Sequence, residues 1–299
     1  MTVEDTALQI KKLEIQGATN IALSAVNSLL EFSGTYSGTS FSAELKNKSN
    51  LLLNSRPTEP LMQNFIRKLL SAVPADKDLT TQKQIVKDTV HSLQDYLVTA
   101  IDKIAEIGSK RVPKKGVVLT HCHSSLVERV LIHAHDSGKR FEVISTETRP
   151  RFQGHITAKN LSENGIPVTT IVDSAVMTYM NMVNLVLIGS DAILSDGSVV
   201  NKIGSYPVAL AAKEADTPLY VCTETYKFDP KTLMGDYEPI EQREPAEVWD
   251  SPPAGVQIKN PAFEIVPARY IHALITEEGV MSPHSVFEVT RRLFLKPSA

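Results

Sequence analysis

A thiol and a carboxyl stand out among the residues able to do chemistry: Cys122, in the run Thr120-His121-Cys122-His123-Ser124, and Asp191, in Gly189-Ser190-Asp191. Each closes a short apolar run, Val117-Val118-Leu119 in the first case and Leu185-Val186-Leu187-Ile188 in the second. Other apolar runs end the same way, in Thr146-Glu147-Thr148-Arg149-Pro150, in Asp173-Ser174 and in Thr223-Glu224. Cys122 precedes Ser124-Ser125-Leu126-Val127-Glu128-Arg129-Val130, which reads as the start of a helix. A thiol there has its thiolate favoured by the helix dipole and by free backbone N–H groups, and flanking His121 and His123 add to this. Ser124 and Ser125 offer hydroxyls and amides suited to a phosphate. After Asp191, an Asp196-Gly197 turn leads to Asn201-Lys202-Ile203-Gly204-Ser205, an amide and a cation ahead of a new helix, again suited to a phosphate or a hydroxyl. Competing readings stand beside these. Asp and Ser at strand ends are commonly helix caps, and a buried cysteine is commonly inert. Cys222, which continues Leu219-Tyr220-Val221, fits the inert reading.

These ends meet only if the runs are parallel strands. The first four runs start roughly 17 to 27 residues apart, which fits strands joined by crossover helices. Continuous apolar strands of this kind belong to a sheet covered on both faces. All carboxyl ends then point to one edge, and ligands bind in the crevice outside it. The chain before them is different. Ile10, Leu13, Ile15, Ala18, Ile21, Ala22 and Ala25 recur at helical spacing, as do Ile85, Val86, Val90, Leu93, Leu97 and Ile101. The basic, proline-bearing stretch 109–116 reads as a linker, and the three prolines within 250–261 as an ordered surface loop. The fold class is therefore α/β, with a helical N-terminal domain over 1–112 and a Rossmann-like parallel-sheet domain over 113–299.

Composition excludes several functions. Of 299 residues, 42% are hydrophobic and 22% charged, which is ordinary globular usage. A net charge of −3 argues against a dedicated nucleic-acid binder or a polybasic membrane surface. No apolar run approaches the roughly 18 residues that span a bilayer, and the N-terminus lacks a signal-peptide pattern. Two cysteines exclude a disulfide framework and point to the cytoplasm. No CxxC, HExxH, GxGxxG or GxxxxGK[ST] occurs, so neither a metal nor a nucleotide cofactor is expected.

The chain resembles the initiation-factor-2B-related family over nearly its whole length. The resemblance rests on Ile15-Gln16-Gly17-Ala18, Ser55-Arg56-Pro57-Thr58, the Leu119–Ser124 and Thr146–Gly154 runs, Val172-Asp173-Ser174-Ala175, Ile188–Asp191, Val200–Gly204 and Glu224–Phe228. The family holds the alpha, beta and delta subunits of eukaryotic initiation factor 2B, methylthioribose-1-phosphate isomerase and archaeal ribose-1,5-bisphosphate isomerase. The last is the best match, through Glu224–Phe228 with Pro230 and through Asn260-Pro261-Ala262-Phe263. Its isomerases use a Cys and an Asp that the regulatory subunits generally lack, and this chain has both. The resemblance thus implies an aldose–ketose isomerisation, most closely ribose 1,5-bisphosphate to ribulose 1,5-bisphosphate in nucleotide salvage. Cys122 would be general base and Asp191 general acid. Gln16, Gly17, Ala18, Arg56, Ser124, Ser125, Arg149, Gln153, Asn201, Lys202 and Lys227 would hold the substrate. Two positions depart from the family: Gln16 stands where isomerases have an Arg, and Ser125 where the bisphosphate enzymes commonly have a Lys. The resemblance further implies a homodimer or homohexamer and an AMP effector. The alternative is a non-catalytic relative of the initiation factor 2B alpha subunit that contacts initiation factor 2 or senses a sugar phosphate or nucleotide.

Overall fold

The computed structural model describes residues 1–236 and 240–294. Residues divide into two compact units, Met1–Thr99 and Ala100–Ala299. The first holds α1 (Val3–Lys11), α2 (Ala18–Thr35), α3 (Phe41–Ser55), α4 (Pro60–Ala72) and most of α5 (Leu79–Ser109). The helices form where apolar residues recur every three or four positions. On α2, Ile21, Ala22, Ala25, Val26 and Leu29 are buried, and α4 buries Leu61, Met62, Phe65, Ile66 and Leu69. Pro60 opens α4 at its first turn, where its missing N–H costs no hydrogen bond.

The second unit holds β1 (Val117–Thr120), α6 (Ser125–Asp136), β2 (Glu142–Thr146), α7 (Gly154–Glu163), β3 (Val168–Ile171), α8 (Val176–Met180) and β4 (Leu185–Ile188). There follow β5 (Ala192–Ile193), β6 (Val199–Lys202), α9 (Ser205–Glu214), β7 (Leu219–Cys222), β8 (Phe263–Val266), β9 (Ala273–Thr276), β10 (Gly279–Met281) and α10 (Val286–Phe294). Seven strands form one sheet in the order β10-β9-β7-β4-β1-β2-β3, parallel throughout except for β10. Alternation along each strand explains the unbroken apolar runs. Val118, Leu185 and Leu187 pack with α6 and α7 on one face, while Leu119, Val186 and Ile188 pack with α8, α9 and α10 on the other. The Asp196-Gly197 turn joins β5 to β6 antiparallel, and β8 adds to β6 to complete a second, three-stranded sheet. Among the described residues no helix is long and apolar enough to cross a membrane.

Candidate active site

The ends of β1, β2, β4 and β7 lie side by side because those strands are neighbours in one parallel array. The strand pairing brings the Cys122 loop beside Asp191. Gly189 is required there, since a Cβ on it would stand 2.6 Å from Ser124 Oγ. Ser190 Oγ donates to Thr223 Oγ1 at 2.7 Å, tying the β4 end to the β7 end. Asp191 is half-buried, and its amide donates to the Val200 carbonyl at 2.9 Å.

Cys122 is buried and takes a left-handed backbone conformation, φ 66°. A non-glycine residue there costs about 1 kcal/mol, so its surroundings must hold it. Its N–H donates to Thr148 Oγ1 at 2.9 Å, and its carbonyl accepts from Thr157 Oγ1 at 3.1 Å. Thr148 is fixed in turn: the Asp173 carboxylate accepts from the Thr148 N–H at 2.8 Å and from the Arg149 N–H at 2.7 Å. Burial pushes the Cys122 thiol up to about 11, the Lys202 charge pulls it down, and the carboxylates of Asp191 and Asp173 push it further up. The charges of Asp191 and Lys202 therefore both register at the sulfur. The expectation of a thiol lowered by the helix start is corrected here: desolvation outweighs the dipole and the nearby amides. His121 supplies no charge to the thiol. His121 is buried and its pKa is lowered, chiefly by that burial, while His123 Nδ1 lies 2.9 Å from Glu128 Oε1.

Lys202 is buried on β6, with its ammonium 4.7 Å from the centre of the Phe263 ring on paired β8. Asn201, also buried, donates to Ser205 Oγ at 2.8 Å, and Ser205 Oγ donates to the Lys202 carbonyl at 2.7 Å. The start of α9 is held by Glu264, whose Oε1 accepts from the N–H groups of Gly204 (2.5 Å) and Tyr206 (2.9 Å). Lys227 is buried with Glu224, 2.9 Å from Nζ to Oε2. Ser124 caps α6 through the Val127 N–H at 3.4 Å, so the cap reading holds for it, and Ser125 is exposed on the first turn. Gln153 sits at the start of α7 and, with Arg149, Lys202, Arg243 and Asn260, lines a narrow crevice. The exposed Arg149 guanidinium reaches the Val248 carbonyl at 3.4 Å and lies 5.0 Å from the Phe152 ring centre. Cys222 is fully buried and its thiol is pushed up to about 12, as an inert core cysteine.

The remaining candidates belong to the first unit. Gln16 Nε2 donates to the Leu13 carbonyl at 2.7 Å, Gly17 takes φ 83° as the cap of α2, and Ala18 opens that helix. Arg56 is buried just beyond α3, 4.0 Å from Glu59 Oε2. Residues that the sequence does not single out, Thr146, Thr148 and Glu264, carry much of the scaffolding around Cys122 and Lys202. The two threonines had a signal, hydroxyls two positions apart at a strand end; Glu264 had none, because its partners lie about 60 positions earlier in the chain. Among the described residues no group of three or more His, Cys, Asp and Glu side chains is placed to hold a metal ion.

The chain as a whole matches a known family. The model of the initiation factor 2 subunit family matches residues 14–283, and the chain belongs to that family. It is 42% identical over 294 residues to the ribose 1,5-bisphosphate isomerase of Archaeoglobus fulgidus, covering 97% of this chain and 93% of that protein. The enzyme of the same name from Methanocaldococcus jannaschii is 36% identical over 297 residues, covering 98% and 95%. The crystal structure of the Pyrococcus horikoshii OT3 translation initiation factor eIF-2B superposes with a TM-score of 0.83 at 27% identity, covering 94% of this chain and 97% of that one.

Proposed function

We propose that this chain is a sugar-phosphate isomerase that converts ribose 1,5-bisphosphate to ribulose 1,5-bisphosphate. The observation that carries the reading is the pairing of a buried thiol with a nearby carboxyl, in a chain alike from end to end to enzymes of that name. Asp191 protonates the ring oxygen as its bond to C1 breaks. Cys122, as thiolate, takes the C2 proton, and an enol forms between C1 and C2. Asp191 then takes the proton of the C2 hydroxyl while Cys122 returns its proton to C1. Each group ends in the state in which it began, and the product is the ketose phosphate. Lys202 favours the thiolate, and burial keeps water from quenching the enol.

Asn201, Lys202 and Lys227 hold phosphate and hydroxyl oxygens, joined by Ser124, Ser125, Arg149 and Gln153; Gln16, Gly17, Ala18 and Arg56 are further substrate-binding candidates. We further place the protein in the cytoplasm as a homo-oligomer under AMP control. The test is conversion of ribose 1,5-bisphosphate by the purified chain, followed by phosphorus and carbon NMR. Cys122→Ser and Asp191→Asn should each lower turnover by at least ~100-fold, the scale of a lost general acid or base. A second reading draws on the likeness to the P. horikoshii factor. Absence of turnover on any 1-phosphorylated pentose, with capture of initiation factor 2, would favour it instead.

A further inference from the structure

We propose that His121 is a positioning residue of this site: its imidazole bridges the Cys122 loop and the Asn201–Gly204 segment, and so sets the thiol and Lys202 in one register. The inference rests on the isomerase reading above. His121 is 1% exposed, yet both ring nitrogens are engaged. Nε2 lies 2.8 Å from the carbonyl oxygen of Ile203, the residue between Lys202 and Gly204. A carbonyl only accepts, so Nε2 carries the proton. Neutral imidazole then presents a bare Nδ1, which accepts from Thr146 Oγ1 at 2.7 Å. Burial lowers the pKa of His121, in keeping with the neutral ring.

The bridge continues to the thiol residue. Thr146 Oγ1 is 3.3 Å from Thr148 Oγ1, which accepts the Cys122 N–H at 2.9 Å. A hydrogen-bonded line thus runs from the Ile203 carbonyl through the imidazole and two threonines to the amide of Cys122, the residue held at φ 66°. Packing confirms how closely the ring is seated. Gly204 has φ 103°, and a Cβ there would lie 2.6 Å from His121 Cε1. The lack of a side chain at 204 admits the imidazole to the loop that carries Lys202. An ordinary core histidine needs no such fit on both sides.

The test compares His121→Gln, His121→Asn and His121→Leu with the parent chain. Gln can restore a donor at the Nε2 position, whereas Asn is too short to reach the Ile203 carbonyl. The measurements are kcat and KM for ribose 1,5-bisphosphate, the alkylation rate of Cys122 read peptide by peptide, and the melting temperature. The expected result is a fall in kcat of roughly tenfold or more for Leu and Asn, a rise in KM and a changed Cys122 alkylation rate, with Gln recovering most of each. Turnover per folded molecule and Cys122 alkylation that stay at parent values in Leu and Asn, whatever the loss of melting temperature, overturn the proposal. Should Leu fail to fold, the contrast of Gln with Asn decides. If the parent shows no turnover, the isomerase reading has failed by itself, and the alkylation comparison still decides whether His121 governs the thiol.

Discussion

Burial should make Cys122 a reluctant thiolate. Its thiol rises from an ordinary 9.0 to about 11 in the folded chain. That rise corresponds to about 3 kcal/mol against ionisation, and to roughly one hundredth of the thiolate that an ordinary cysteine shows at neutral pH. Alkylation with iodoacetamide, followed by mass spectrometry of each cysteine peptide, measures this directly. Between pH 7 and pH 10 the Cys122 rate should climb about tenfold per pH unit, since the thiolate is the nucleophile. It should level off only near 11, with Cys222, pushed up to about 12, trailing it. Lys202→Met should move the Cys122 midpoint higher, and Asp191→Asn should move it lower, because those charges act on the sulfur in opposite directions. Stability carries the same signature. The folded thiol keeps its proton to higher pH than the unfolded one, so from 9 to 11 the unfolded chain gains by ionising and folded stability falls. Below 9 this contribution is flat. Cys122→Ser should remove that part of the alkaline fall in melting temperature. A Cys122 alkylation plateau at or below pH 9 would refute the argument that desolvation dominates.

Other substitutions test the scaffold. Gly154→Ala should cost at least ~3 kcal/mol, because the added Cβ would stand 1.7 Å from the Thr146 carbonyl oxygen, a backbone atom with little room to move; chemical denaturation measures it. Gly204→Ala should cost ~2 kcal/mol or more, from φ 103° and from collision with His121, and an unchanged denaturation midpoint would contradict the seating of the ring. Asp173→Asn should cost ~2 kcal/mol, since one charged group accepts two consecutive amides, and turnover should fall with it.

The parallel sheet was legible because its strands are buried on both faces: Leu185–Ile188 reads as a strand end to end, and polar residues follow at once where the chain leaves the sheet. The hairpin around Asp196-Gly197 was legible from its turn residues. Strand β8 was not, because its pairing with β6 is set by residues about 60 positions away and its own Phe263-Glu264-Ile265-Val266 carries no turn signal. The same distance hid Glu264 as the cap of α9. The protonation of Cys122 was hidden for another reason. Its proximity to a helix start is local and argues for a low value, while its burial is a property of the folded whole and pushes the value up.

The burial that suppresses the thiolate also gives the neighbouring charges their leverage. In a poorly hydrated site the interaction between Lys202 and a thiolate is screened far less than at the surface. A small displacement of that ammonium therefore changes the population of the thiolate strongly. Lys202 sits on a strand paired along its length with β8, and the turn beyond it is held by Glu264 on one side and His121 on the other. A surface lysine on a mobile loop would supply the same formal charge without a fixed distance. On the isomerase reading, the strained φ of Cys122 and the glycine at 204 are local costs that keep the two loops carrying the sulfur and the cation in place.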